Sequence, residues 1–237
     1  MIIYRLIEKK LVEPVLSYFR WVFRSEESYY RVVMSFRHRI RSIFGDSLTA
    51  DEKHSIKRSE FYIEIIDHKS RVMDVGCGIL GLGYHLINQL PKQAYFGVDI
   101  LPSAIKEAEQ KILNNLVLSA KSPQLFVTSS SAEIKSIASC NRVNTFVFNS
   151  VVTHMSLDLI ENYLVTLHSL DIDNIKILGD INTPISKRST NKRNVDYYHT
   201  ITDFKTVAGR SGWNIDKVIE EKANLVFQPV LLVLIKK

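Results

Sequence analysis

The chain has 237 residues, 46% of them apolar and 24% charged, the balance of a globular protein with a sizeable core. No apolar run reaches the roughly 18 residues of a membrane-spanning helix, and Glu8 and Glu13 interrupt the N-terminus early, so neither a span nor a cleaved leader is expected. The net charge of +6 is concentrated: residues 1–44 carry nine Arg/Lys against four Glu, and the remainder of the chain 22 basic against 21 acidic residues. The only cysteines are Cys77 and Cys140, and Cys77 sits in a glycine-rich turn that a disulfide would obstruct. A reducing, cytoplasmic setting is therefore expected, and no Cys/His cluster has the spacing of a metal site.

Residues 2–12 form a short apolar and basic stretch that Pro14 interrupts. Val15, Leu16, Phe19, Val22 and Phe23, and then Tyr29, Val32, Val33, Phe36, Ile40, Ile43 and Phe44, recur at helical spacing, with arginines on the other faces. This N-terminal segment reads as helices packed on the main domain, as a lid or homodimer surface, or as a basic amphipathic segment at a membrane surface. Thr49-Ala-Asp-Glu52 has capping-box spacing and opens a further helix with Ile56, Tyr62, Ile63 and Ile66. Residues 1–68 are thus read as a helical segment ahead of a domain over 69–237.

The stretch Arg71–Gly83 organises that domain. Val72, Met73 and Val75 fit one short buried strand, and Gly76, Gly78, Gly81 and Gly83 follow without a spacer. Leu82, Leu86 and Ile87 then fall at helical spacing, so the unit reads strand, tight turn, helix, with glycines where backbone and ligand come close. Gly76, Gly78 and Gly81 fit G-x-G-x-x-G, which alone also describes a nicotinamide dinucleotide site. Asp74 argues otherwise: a carboxylate two residues before the first glycine repels a pyrophosphate and attracts a cation.

From here strand-like and helix-like segments alternate, predicting a parallel sheet with helices on both faces. Strands are expected at 71–75, 94–98, 124–128, 145–149 and 176–178. One helix is expected from Pro102 to about Leu118, one capped by Ser156 with Leu157, Ile160, Leu164 and Leu167, and one over 202–211 ending at Gly212. Two closely spaced β-prone runs, 213–221 and 225–235, leave no room for a crossover helix and should pair antiparallel. The expected fold is α/β: a seven-stranded, mostly parallel doubly wound sheet with an antiparallel C-terminal hairpin, preceded by N-terminal helices.

Asp74-Val-Gly-Cys-Gly, this order of elements and the terminal hairpin resemble the class I S-adenosylmethionine-dependent methyltransferases over residues 69–237. The resemblance implies S-adenosyl-L-methionine as cofactor, held by Asp74, Gly76, Cys77, Gly78 and Gly81 at its methionine end. Asp99, ending the second strand, would accept the ribose hydroxyls, although an Asp there also caps the following helix. Ile100 would lie beside the adenine. Where the family commonly has an acid for the adenine amino group, this chain reads Thr128-Ser129-Ser130-Ser131, and Ser131 takes the role by position. The acid usual just inside strand four is replaced by Asn144-Thr145.

Asn149-Ser150-Val151-Val152-Thr153-His154-Met155 lies at the carboxyl end of strand four, where open α/β sheets bind ligands, and resembles the S-V-x-x-H segment of small-molecule methyltransferases. It lacks the prolines of the segment that methylates exocyclic amines of DNA bases, which makes nucleic acid the lesser reading. Asn149 reads as a cofactor contact and His154 as a general base or a loop brace. Asp180 reads as orienting the acceptor or capping the loop, and His199 as catalytic or as packing on the next helix. Lys187, Arg188, Lys192 and Arg193, followed by Tyr197 and Tyr198, read as a grip on an anionic acceptor or as a solvated loop. The expected activity is methyl transfer to a small molecule, sugar or natural-product intermediate, free or carrier-linked. A methyltransferase-fold binding protein without turnover and an RNA methyltransferase are the alternatives.

Overall fold

The computed structural model describes residues 58–184, 197–220 and 227–236, together with Val32. The helices anticipated in 1–44, the Thr49–Glu52 capping box and the four cations at 187–193 lie outside the described residues.

Helical residues 58–65 (α1) lead into a seven-stranded sheet. Its strands are β1 (Val72–Val75), β2 (Tyr95–Asp99), β3 (Gln124–Val127), β4 (Thr145–Phe148), β5 (Lys176–Pro184), β6 (Trp213–Glu220) and β7 (Phe227–Lys236). The order is β3-β2-β1-β4-β5-β7-β6. β1 to β5 are parallel, and β7 runs antiparallel between β5 and β6. The expected fold is the observed one. Strand order reverses between β1 and β4, which makes their carboxyl ends the place where such a sheet opens a crevice.

The helices are α2 (Gly83–Gln89), α3 (Pro102–Leu113), α4 (Leu116–Lys121), α5 (Ser131–Cys140), α6 (Leu157–His168) and α7 (Ile201–Arg210). One sheet face presents Met73, Val75, Phe96, Phe146 and Phe148 to α5, α6 and α7. The other presents Val72, Tyr95, Val147 and Leu178, covered by Tyr62 of α1, Leu86 and Ile87 of α2, Ile105 of α3 and Leu118 of α4. Burial on both faces is why β1 and β4 read as near-continuous apolar runs. It also places α1 in the same core as the sheet.

Two expectations change. The single helix from Pro102 to Leu118 is two helices, because Asn115 adopts an extended conformation and its side chain accepts from the Val117 and Leu118 N–H groups. A cap of that kind offers the backbone an alternative to continuing the helix. β5 runs to Pro184 rather than stopping at Leu178, because β7 pairs with it along its whole length. That pairing is tertiary and leaves no periodic trace within β5 itself. Asn144 lies at the opposite, amino-terminal edge of the sheet, where its side chain accepts the Arg71 N–H at 3.0 Å. Its difference from the usual acid therefore falls away from the ligand edge.

Candidate cofactor and acceptor site

Two groups of residues meet at the carboxyl edge, one at the ends of β1 and β2, the other at the ends of β4 and β5.

In the first, β1 passes directly into the glycine turn. Gly76 and Gly78 take left-handed φ angles of 76° and 52°, and the third left-handed residue is Leu80, at 66° and buried, while Gly81 is not among them. Gly81, marked by its place in G-x-G-x-x-G, is instead an exposed residue of the turn. The N–H groups of Gly76 and Cys77 both donate to Val98 O, at 2.8 and 3.0 Å, and Gly78 N–H donates to Asp99 Oδ2 at 2.9 Å. Three successive turn N–H groups are thus spent within the protein, where a phosphate-binding turn would aim them at the ligand. A methyl group on Gly78 would meet nothing within 4 Å, which marks open space over this backbone.

Asp74 lies beneath the turn, 2% exposed, and accepts a 2.8 Å hydrogen bond from Tyr95 Oη. Tyr95 reaches it because Gly83 has no side chain: a Cβ there would stand 2.3 Å from the Tyr95 hydroxyl oxygen. Burial pushes the Asp74 carboxyl up to about 7, with the Asp99 charge acting in the same direction and the Tyr95 bond opposing it. Tyr95 itself is held well above the usual phenol range, again chiefly by burial. A cation arriving over the turn would relieve this cost by favouring ionised Asp74. Asp99 is 8% exposed; Oδ1 accepts from Leu101 N–H at 2.8 Å and Oδ2 from Gly78 N–H. The Leu101 contact closes the turn ahead of α3, whose N-cap is Leu101 without a side-chain cap, so Asp99 does not cap that helix as the alternative reading expected. A carboxylate oxygen can accept two donors, which is compatible with the ribose reading. Ile100 follows, half-buried. Cys77 is a buried thiol against Gly97, pushed well above its ordinary range by burial, and so is not poised as a nucleophile.

Ser131 lies in the first turn of α5, with its hydroxyl accepting from Asn162 Nδ2 at 3.3 Å and from Thr166 Oγ1 at 3.5 Å, both on α6. Its neighbours serve the fold: Ser130 caps α5 through Glu133 N–H, and Thr128 Oγ1 donates to Glu133 Oε2.

In the second group, β4 is followed by a turn at Asn149 and Ser150 and then by a 3-10 turn over Val152–His154. Arg58, on α1, is 3% exposed and reaches this edge. Its Nη1 donates to Asn149 Oδ1 at 2.9 Å and Ser150 Oγ at 3.3 Å, and pairs with Asp180 Oδ2 at 2.7 Å. Asp180 also accepts the Ser150 N–H. The Asn149 side-chain oxygen and both Asp180 oxygens are therefore engaged within the protein. His154 is half-buried on the loop between its neighbours Thr153 and Met155. Tyr197 N–H donates to Thr153 O at 2.7 Å, and His199 Nε2 donates to Met155 O at 2.8 Å. His199 is 4% exposed and stacks on Tyr197 at 5.9 Å.

Tyr95 and Arg58 carried no sequence signal. The hydroxyl of Tyr95 matters only because of the gap at Gly83, and the partners of Arg58 lie 91, 92 and 122 residues away in the chain. Among the described residues, no helix is long and apolar enough to cross a membrane.

No protein-family model matches the sequence, and no curated protein matches it. Solved structures do. A magnesium protoporphyrin IX methyltransferase from Synechocystis with bound S-adenosylmethionine superposes with a TM-score of 0.67 at 17% identity, over 91% of this chain and 99% of that one. A glycopeptide N-methyltransferase complexed with S-adenosylmethionine gives 0.60 at 11% identity, over 77% of this chain and 94% of that one. A methyltransferase from Clostridium acetobutylicum gives 0.57 at 11% identity, over 85% and 98%. At these identities the likeness is one of architecture, and the architecture is unambiguous in strand order and in extent. The chain has the fold of the class I S-adenosylmethionine-dependent methyltransferases.

Proposed function

We propose that the protein is an S-adenosylmethionine-dependent methyltransferase acting on a small-molecule, sugar or natural-product acceptor, free or carrier-linked. The observation that carries this reading is the glycine turn: its N–H groups at 76, 77 and 78 are taken by Val98 and Asp99, while Asp74 lies buried beneath it. Such a turn suits a cationic ligand without phosphate and disfavours a nicotinamide dinucleotide.

The residues present fit the cofactor. Asp74 would act on its methionine end from below, Asp99 would accept the ribose hydroxyls, and Gly78 leaves room over the backbone. S-adenosylmethionine supplies a methyl group on sulfonium sulfur, which an acceptor oxygen, nitrogen or carbon displaces in line. The protein aligns the two reactants and, for an acceptor that must lose a proton, His154 is the residue of the loop suited to take it. Asp180 and His199, engaged as they are with Arg58, Ser150 and Met155, fit support of that loop better than contact with the reacting atoms. Residues 1–68 would form a cap over the acceptor side, with 1–44 available to a second subunit or an anionic surface.

Calorimetry tests the cofactor directly: S-adenosylmethionine and S-adenosylhomocysteine should bind in the micromolar range, and NAD should not. The reverse preference would overturn the reading. The engagement of Asn149, Asp180 and His199 within the protein also favours a second reading, a binding protein that kept the fold without turnover. Release of S-adenosylhomocysteine with any member of an acceptor panel would exclude that.

A further inference from the structure

The loop from Asn149 to Met155 is fixed at nearly every residue by something distant in sequence. Ser150 takes a left-handed φ of 58°, a conformation that a non-glycine residue keeps only where its surroundings hold it. Its N–H is held by Asp180 and its hydroxyl by Arg58. That turn directs Val151 onto the bare backbone of Gly76, with Cγ2 only 2.3 Å from where a Cβ would stand. Further on, the carbonyls of Thr153 and Met155 accept from Tyr197 and His199, and His199 N–H is itself anchored on Asn182 O at 3.0 Å. His154 is carried between those two anchored residues.

We infer that Arg58 and Asp180 are positioning residues: their buried ion pair sets the turn at Ser150 and thereby fixes the His154 loop against the glycine turn, so that α1 completes the acceptor side of the site. The proposal rests on the methyltransferase reading for its purpose and on geometry for its substance. A buried ion pair is a poor device for stability alone, since apolar replacements of similar size are often neutral or better. What this one supplies is direction. A guanidinium reaching Asn149, Ser150 and Asp180 together, and a carboxylate accepting from a strained backbone N–H, define where one loop must lie.

The test compares Arg58→Met, Arg58→Lys, Asp180→Asn and the apolar pair Arg58→Met/Asp180→Leu with the parent chain. Amide hydrogen exchange is followed at 149–155 and at 76–83. The His154 ring resonance, assigned by its loss in His154→Gln, is followed by NMR. Arg58→Met should speed exchange in 149–155 about tenfold or more and broaden the His154 signal. Exchange in 76–83 and affinity for S-adenosylhomocysteine should change less than about threefold, the cofactor half being separately built. Arg58→Lys should recover most of the protection. The apolar pair should recover thermal stability and leave the loop unprotected, which a purely structural role does not predict. Unchanged loop protection in Arg58→Met, or full protection in the apolar pair, would overturn the inference. If the parent chain fails to bind S-adenosylhomocysteine, the methyltransferase reading falls while the exchange result still decides the clamp.

Discussion

The two halves of the sheet edge are built in opposite ways. At the ends of β1 and β2 the contacts are short in sequence: Tyr95 to Asp74 and Gly78 to Asp99 each span 21 residues. At the ends of β4 and β5, Arg58 reaches Asn149 across 91 residues, and His199 reaches Met155 across 44. The first half is one strand-turn-helix-strand unit whose local geometry nearly determines it. The second is a loop with little structure of its own, shaped by three other parts of the chain. Under the proposed methyl transfer, a cofactor common to many enzymes would suit the first arrangement and a variable acceptor the second, where each supporting contact can change separately.

Gly76 joins the halves, so its substitution should have the largest effect. Gly76→Ala places a side chain at a φ of 76° and its methyl carbon 2.3 Å from Val151 Cγ2. Backbone strain of about 1–2 kcal/mol and overpacking of about 1–3 kcal/mol should together lower the melting temperature by roughly 5–15 °C. Adding Val151→Ala removes the clash and leaves the strain, so about half the loss should return; no recovery would show that the two halves do not meet there.

Asp74→Asn separates the halves instead. Removing the buried charge under the turn should weaken S-adenosylmethionine binding by roughly ten- to a hundredfold, the equivalent of about 1.5–3 kcal/mol, while exchange in the 149–155 loop stays unchanged. Calorimetry and exchange on one sample check both. Equal affinity in the two proteins would deny Asp74 its role.

The same carboxyl sets a pH dependence. Its folded pKa of about 7 stands above the ordinary 3.8, so between these values the unfolded chain is ionised at this position and the folded one protonated. The contribution of this group to ligand-free stability therefore falls as pH rises from about 4 to about 7, and is level above. Binding of a cation favours the ionised form, so affinity should weaken below pH 7 by at most about tenfold per unit. Asp74→Asn should abolish both slopes and make the ligand-free protein more stable at neutral pH. Calorimetry and thermal melts between pH 5 and 8 read both signs, and a parent profile as flat as the variant's would sink the assignment.

What the sequence disclosed follows the same division. The strand-turn-helix unit at Arg71–Gly83, the second strand leading to Asp99 and the alternation of strands with helices were readable because periodicity and turn chemistry act over a few residues. The left-handed position at Leu80 was not, since the glycine beside it carried the visible signal. Tyr95 was hidden because an alternating strand residue announces burial and says nothing of a hydroxyl passing through the gap at Gly83. Arg58 was hidden because its partners come from β4 and β5, and neither spacing nor charge pattern in residues 58–65 points to them. The break at Asn115 was in principle readable from its capping side chain, but the apolar spacing on either side of it was the stronger signal.

Ser131 sharpens the comparison by what its loss should leave unchanged. By position after β3 it stands where an adenine contact belongs, yet its hydroxyl engages Asn162 and Thr166 of α6 at 3.3 and 3.5 Å, long contacts on the partly exposed outer side of α5. Ser131→Ala should then cost less than about 0.5 kcal/mol in stability, as surface hydroxyls usually do, and leave S-adenosylhomocysteine affinity within about twofold of the parent. Were affinity to fall tenfold, the hydroxyl must turn toward the ligand on binding, and the cofactor half would be less fully formed in advance than Asp74, Tyr95 and Asp99 make it. Unchanged affinity would leave adenine recognition to backbone groups at the end of β3 and to the apolar residues after Asp99. Contacts of that kind depend on the position of the chain rather than on side-chain chemistry, and tolerate the serine run found here.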